Sequence, residues 1–187
     1  MLQTEIAYLL LAGYFLLEFV LRKDKTAKSI GKTEDDNKST RLIGLTFFIV
    51  LFLSFILNFL NIGQFQNLLI ANIGLAMMVT GLLLRIWSMR TLSKYYTRTL
   101  LIVDQQRIIR DGPYKIIRHP GYLGSLLIWT GAGLGMQNII IFFIASLLMC
   151  IAYYHRIINE EKMLKDQFGS QYQDYQKQSW RLIPFVW

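Results

Sequence analysis

Residues 42–60 read LIGLTFFIVLFLSFILNFL, with Asn58 as the only strongly polar side chain. An α-helix rises about 1.5 Å per residue, so about twenty such residues cover the ~30 Å hydrocarbon core of a bilayer. The stretch therefore predicts a membrane-spanning helix. The composition agrees. Of 187 residues, 53% are hydrophobic and 17% charged, with a mean hydropathy of +0.35. A soluble domain of that make-up would have too little polar surface to cover its core. Disordered, collagen-like and disulfide-framework chains are excluded. The one cysteine, Cys150, lies in an apolar run and has no intrachain partner.

Working outward, four more apolar stretches appear: 6–21, 68–87, 122–136 and 139–154. The third of the five, 68–87, is interrupted by Asn72 and Arg85. The last two are separated only by Gln137 and Asn138 and read as a tight helical hairpin. The first stretch is followed, not preceded, by positive charge (Arg22, Lys23), so it reads as a retained helix and not as a secretory signal. All twenty basic residues fall in segments 22–41, 85–121 and 155–187, whereas the connections 61–67 and 137–138 carry none. Basic loops lie on the cytoplasmic side. The expected fold is thus all-α: one integral membrane domain of about five transmembrane helices, N-terminus outside, with a cytoplasmic C-terminal helical tail. Residues 1–84 supply N-terminal helices, and 85–187 form the core with the site. The net charge of +8 is read as affinity for anionic membrane lipid, not nucleic acid. Residues 24–40 read as a solvated loop.

Polar chemistry concentrates in the connection 88–121 and the tail 155–187, on one face of the membrane. The connection holds Asp111-Gly112-Pro113-Tyr114 and Arg118-His119-Pro120-Gly121-Tyr122-Leu123-Gly124. Proline keeps the preceding residue out of helix and suits a first helical turn, so the fourth helix should begin at Pro120. Amides at that start, with Arg118 and His119, offer an anion site. A loop packed on lipid headgroups explains the same residues. In the tail, Tyr153, Ile157, Leu164 and Phe168 follow helical spacing, and Glu160 and Glu161 sit in the gap of that stripe. Acids facing inward near a membrane boundary are costly without a partner and invite a functional reading. Pairing with Arg156 or Lys165 on the helix surface is the plainer one. Gly169 should end this helix, with Ser170 and Gln173 capping a short last one and Tyr172 and Tyr175 anchoring it at the interface. Gly131, Gly133 and Gly135 read as close helix packing, since a dinucleotide fingerprint needs other spacing. His119, His155 and Cys150 lack zinc spacing, and no metal is expected. Glu18 is expected to pair with Arg22, four residues on. Asn72 and Arg85 are expected to point into the bundle.

Gly112-Pro113-Tyr114, Arg118-His119-Pro120-x-Tyr122-x-Gly124, Arg156-x-x-x-Glu160-Glu161-x-x-Leu164, Phe168-Gly169-x-x-Tyr172-x-x-Tyr175 and Arg181-x-x-Pro184, in that order, resemble the isoprenylcysteine carboxyl methyltransferase family. The resemblance covers about residues 85–187. It implies an integral membrane methyltransferase that uses S-adenosylmethionine without a Rossmann domain. It places Tyr114, His119, Pro120, Tyr122 and Leu123 around the cofactor, some through backbone atoms. Glu160 or Glu161 would hold the ribose or amino group, and Arg118 and Arg156 would lie at the catalytic, acceptor end. The implied acceptor is a lipidic molecule such as a prenylated cysteine, methylated on its carboxylate.

Three other readings stay open at this stage. Phospholipid N-methyltransferases share the double glutamate, with an amine as acceptor. NADPH-dependent sterol reductases carry a similar Arg-His-Pro-x-Tyr-x-Gly segment, but are longer and fit the tail less well. A non-enzymatic membrane scaffold would leave the ordered motifs unexplained.

Overall fold

The computed structural model describes residues 2–20, 29–32, 34–96, 100–103 and 105–186. The chain runs α1 (Leu2–Val20), β1 (Ser29–Lys32), α2 (Glu34–Phe59), α3 (Leu68–Leu92), a 3-10 turn (Ser93–Tyr95) and β2 (Leu101–Val103). A second 3-10 turn (Gly112–Lys115), α4 (Pro120–Gly135), α5 (Ile139–Phe168) and α6 (Ser170–Gln178) follow. Among the described residues, four helices are long and apolar enough to cross a membrane: α1, α3, α5 and the Lys38–Phe59 part of α2. Large apolar side chains such as Phe48, Phe52, Phe55, Phe143 and Leu147 stand exposed on their outer faces. In water such a surface would be a liability; in a bilayer it is the lipid-facing side.

The expected fifth span, α4, has 16 residues, which is about 24 Å of helix. It is enclosed by protein. Ile128 and Trp129 are fully buried, and α3 is its most extensive neighbour. Glycine makes that contact possible. A Cβ on Gly74 would lie 2.5 Å from the Gly135 nitrogen, and one on Gly81 2.5 Å from the Gly124 carbonyl. Gly131 abuts the Gly74 carbonyl, and Gly133 the backbone of Phe142 on α5. The glycines expected to pack helices closely do so.

Two expectations need correction, and the all-α class gains one small addition: β1 pairs antiparallel with β2, Ser29 opposite Val103 and Lys32 opposite Leu101. Strands of three and four residues form only through that long-range pairing, which local sequence does not display. The loop expected at 24–40 is partly β1 and partly helix. No glycine or proline interrupts residues 34–41, so α2 extends back to Glu34, where acids favour a helix N-terminus. Finally, Ser170 does not cap α6. Gly169, at φ +54°, ends α5 and is itself the residue before α6, with no side-chain cap, so Ser170 already lies inside the helix.

The apolar stretch 139–154 and the charged tail form one continuous helix, α5. It starts at Asn138, whose Oδ1 accepts from the Ile140 and Ile141 amides at 3.2 Å. Its Nδ2 donates to Asn58 Oδ1 and to the Ile62 carbonyl, while Asn58 donates to the Tyr8 hydroxyl. This network joins α1, α2 and α5 at the end of the bundle away from the site.

Candidate active site

His119 (φ −123°, ψ 53°) precedes Pro120, the first residue of α4. The segment leading into α4 lies beside the C-terminal tail. The Arg118 amide donates to the Trp180 carbonyl at 2.8 Å, and the His119 amide to the Arg181 carbonyl at 3.2 Å. These two amides are therefore engaged by the tail.

Glu161 joins the same segments through side chains. Its Oε1 accepts from Arg118 Nε at 2.8 Å and lies 3.3 Å from His119 Nε2. Its Oε2 accepts from Arg181 Nε at 3.0 Å and Gln176 Nε2 at 3.2 Å. Arg118 Nη1 also donates to the carbonyls of Gln176 and Ser179. Glu161 thus pairs across the fold, with residues the surface-pair reading did not name.

Glu160, one residue earlier, has different company. Tyr122 donates its hydroxyl proton to Glu160 Oε2 at 2.5 Å and accepts from Arg156 Nε at 3.2 Å. Arg156 is buried, and its Nη1 donates to Ser39 Oγ at 2.9 Å and Thr40 Oγ1 at 3.0 Å at the start of α2. The Tyr122 ring stacks on His119 and Tyr153, with centroids 5.5 and 5.1 Å away.

These groups meet at a cavity of about 390 Å³. Tyr114, Arg118, His119, Tyr122, Arg156 and Glu160 are in its wall; among the described residues, Pro120, Leu123 and Glu161 are not. One end is aromatic and aliphatic, with Tyr114, Leu164, Phe168, Tyr172 and Tyr175. The Tyr175 hydroxyl donates to the Tyr114 carbonyl at 2.7 Å. Burial pushes the Tyr175 phenol up to about 12 and the Tyr114 and Tyr172 phenols well above their usual range, so all three stay protonated near neutral pH.

The other end is built by α1, α2 and α3 from Tyr14, Glu18, Ile43, Gly44, Phe47 and Arg85. Arg85 is buried. Its Nε donates to Glu18 Oε1 at 2.6 Å, its Nη1 to the Gly121 carbonyl and its Nη2 to the Tyr96 hydroxyl, both at 2.9 Å. Sequence reasoning had Arg85 facing inward but left it without a role, and assigned Glu18 to Arg22, which lies outside the described residues. Asn72, expected to face inward, is exposed. Tyr172, named in the motif Phe168-Gly169-x-x-Tyr172-x-x-Tyr175, was not assigned to the site. Expected as an interfacial anchor, it is 2% exposed and lines the cavity. Helical periodicity of α6 gave no sign of that.

Fold and site together define an integral membrane protein with a cavity of mixed polar and apolar lining at one end of a helical bundle. A model of the isoprenylcysteine carboxyl methyltransferase (ICMT) family matches residues 74–166. Protein-S-isoprenylcysteine O-methyltransferase B of Arabidopsis thaliana is 31% identical over 126 residues, 66% of this chain and 64% of that protein. The Tribolium castaneum protein-S-isoprenylcysteine O-methyltransferase is 31% identical over 123 residues, 63% of this chain and 42% of its own. The solved eukaryotic intramembrane Ras methyltransferase ICMT superposes with a TM-score of 0.67 at 26% identity, covering 75% of this chain and 52% of that one. The chain thus resembles the ICMT family over residues 74–166 and shares the fold of its solved member. It spans less than two thirds of the length of the curated relatives it matches.

Proposed function

We propose that this chain is an S-adenosylmethionine-dependent methyltransferase that methylates the carboxylate of a lipidic acceptor, a prenylated cysteine. The observation that carries the reading is Tyr122, whose hydroxyl links Glu160 to Arg156 in the wall of one cavity. A carboxylate and a guanidinium thus stand on either side of one point, between an aromatic end and a helix-lined end.

The donor set suits the methyl donor. The cavity volume falls in the ~300–1,000 Å³ range of small-molecule sites. Glu160 offers a carboxylate to an ammonium or to ribose hydroxyls, and Tyr114, His119 and Tyr122 offer rings and polar edges. When bound, S-adenosylmethionine supplies a methyl group activated by a positively charged sulfur. Pro120 and Leu123 act by fixing the start of α4. Arg118 and Glu161 act by holding the tail across the site, and we assign contact with the acceptor to Arg156.

The acceptor carboxylate is already ionised near neutral pH, so the protein needs no general base. Arg156, fixed by three hydroxyls, presents its guanidinium in a preset orientation, which favours alignment of the reacting oxygen. The apolar chain of the acceptor lies against Ile43, Gly44 and Phe47, reaching the cavity laterally from the bilayer. The enclosing helices exclude water. On this reading α4 completes five spans, the N-terminus is outside and the site opens to the cytoplasm, in line with the basic connections.

The test uses the purified full chain in lipid nanodiscs. Labelled S-adenosylmethionine should bind and NADPH should not. Farnesylated N-acetylcysteine should be methylated far faster than N-acetylcysteine without the chain. Equal rates on both would overturn the lipidic acceptor. Transfer to phosphatidylethanolamine in place of the carboxylate would overturn O-methylation.

A further inference from the structure

We infer that residues 180–186, together with Ile116, form a membrane-interface anchor. It seats the C-terminal tail among anionic lipid headgroups and the acyl chains just beneath them, whichever reaction the chain catalyses.

Trp180, Ile183, Phe185 and Val186 are all exposed, Phe185 by 86% and Val186 by 75%. The segment is nevertheless tied down. Leu182 is buried in the core cluster. The Trp180 amide donates to the Ile116 carbonyl at 2.9 Å, and the Trp180 carbonyl accepts from the Arg118 amide at 2.8 Å. The Val186 amide closes a turn on the Ile183 carbonyl at 3.1 Å, and the Trp180 and Phe185 rings pack with centroids 5.2 Å apart. Ile116, the bonded neighbour of Trp180, is exposed as well. One apolar residue of the tail thus fixes the segment, and a fixed backbone presents the others outward. A contiguous apolar patch of this kind marks a contact surface.

Its level in the bundle says what covers it. Arg118 and His119, bonded to Trp180 and Arg181, immediately precede α4. A Cβ on Gly121, in the first turn of α4, would lie 3.7 Å from Ser88 Cβ. Ser88 comes about 6 Å of helix before the end of α3, one of the helices apolar enough to span a membrane. The 3-10 turn leading to Ile116 also lies on α3, where a Cβ on Gly112 would lie 3.1 Å from Trp87 Nε1. Trp87 is exposed on that helix. Trp87, Ile116 and Trp180 therefore continue the lipid-facing surface of α3 onto the tail. Tryptophans at the ends of spans sit among headgroups, where the indole ring is buried and its N–H stays wet. Exposed Arg90, one turn past Trp87, and exposed Lys115, beside Ile116, give this rim a positive charge that suits anionic lipid.

The test uses the full chain, with Cys150→Ser, in nanodiscs of phosphatidylcholine and phosphatidylserine. A fluorophore on Val186→Cys is compared with one on Lys177→Cys, an exposed position on the polar helix α6. Lipid carrying a nitroxide near the top of its acyl chain should quench the label at 186 several-fold more strongly than the label at 177, and aqueous iodide should do the reverse. Adding Ile183→Ser and Phe185→Ser should move the label at 186 towards water, so that lipid quenching falls and iodide quenching rises. Nanodiscs of phosphatidylcholine alone should also weaken lipid quenching, and Arg90→Gln with Lys115→Gln should remove most of that dependence. Iodide quenching at 186 equal to that at 177 would overturn the anchor. So would a label at 186 that neither quencher reaches, which would put a second copy of the chain or another protein on the patch. Lipid quenching unchanged by the two serines would overturn it too, because the label would then lie in lipid regardless of these side chains. Lipid quenching that is the same with and without phosphatidylserine would overturn the anionic preference.

Discussion

Arg118 and Glu161 lie 43 residues apart in the chain and meet with Arg118 Nε 2.8 Å from Glu161 Oε1, both side chains almost fully buried. This contact joins the start of α4 to α5, and through Arg181 and Gln176 it draws in the tail. The adjacent Glu160, by contrast, faces the cavity. Two neighbouring acids therefore have separable jobs.

Their substitutions should separate accordingly. Glu161→Gln leaves Arg118 buried without its counter-charge, and breaking a buried pair typically costs about 3–5 kcal/mol. A clear drop in the thermal midpoint and faster proteolysis of the tail after Gln178 are expected. Glu160→Gln should leave the midpoint nearly unchanged. It should weaken S-adenosylmethionine binding roughly ten- to hundredfold, the equivalent of one charge-assisted contact of about 1.5–3 kcal/mol. The same pattern for both variants would remove the distinction.

Arg156→Ala should leave cofactor affinity within a few-fold of wild type while methyl transfer to farnesylated N-acetylcysteine collapses. Arg156→Lys should restore little, because a point charge does not reproduce a planar fork of donors. Initial rates alongside calorimetry measure both. Normal turnover of Arg156→Ala would remove it from the acceptor end.

Glycines on α2 and α3 offer a matched pair of probes. A Cβ on Gly44 meets nothing within 4 Å, whereas one on Gly74 would lie 2.5 Å from the Gly135 backbone. Gly74→Ala should destabilise the protein by about 1–3 kcal/mol, as overpacking does, and Gly44→Ala should be neutral in the same melting assay. Gly44→Phe fills the helix-lined end of the cavity. It should raise KM for the farnesylated acceptor while leaving S-adenosylhomocysteine affinity unchanged.

The number of spans is decided by α4. Single cysteines at Gln64 and Lys177, both exposed, are placed in a Cys150→Ser background. Three crossings (α3, α4 and α5) put them on opposite sides of the membrane. If α4 does not cross, only two crossings separate them, and an impermeant maleimide added to oriented vesicles will label both from one side.

The sequence by itself determined the membrane class, the long helices and the face on which chemistry gathers. Hydropathy over about twenty residues is a local quantity, and so are the proline at the start of α4 and the glycine at the end of α5. The motif residues Tyr114, His119, Tyr122, Arg156 and Glu160 were legible as a set because they cluster in two short segments on one side of the bundle. The tertiary structure alone decided which of two adjacent acids faces the cavity. Residues 160 and 161 differ by about 100° around a helix, and only the positions of Arg118, Arg181 and Gln176 show which direction is already filled. It also decided that Glu18 pairs with Arg85, 67 residues away, and that Ser39 and Thr40 orient Arg156. The same holds for β1 and β2 and for Tyr172, which the packing of α6 brings into the cavity wall. Each of these rests on groups distant in sequence brought within bonding range, and neither periodicity nor residue type along the chain records such distances.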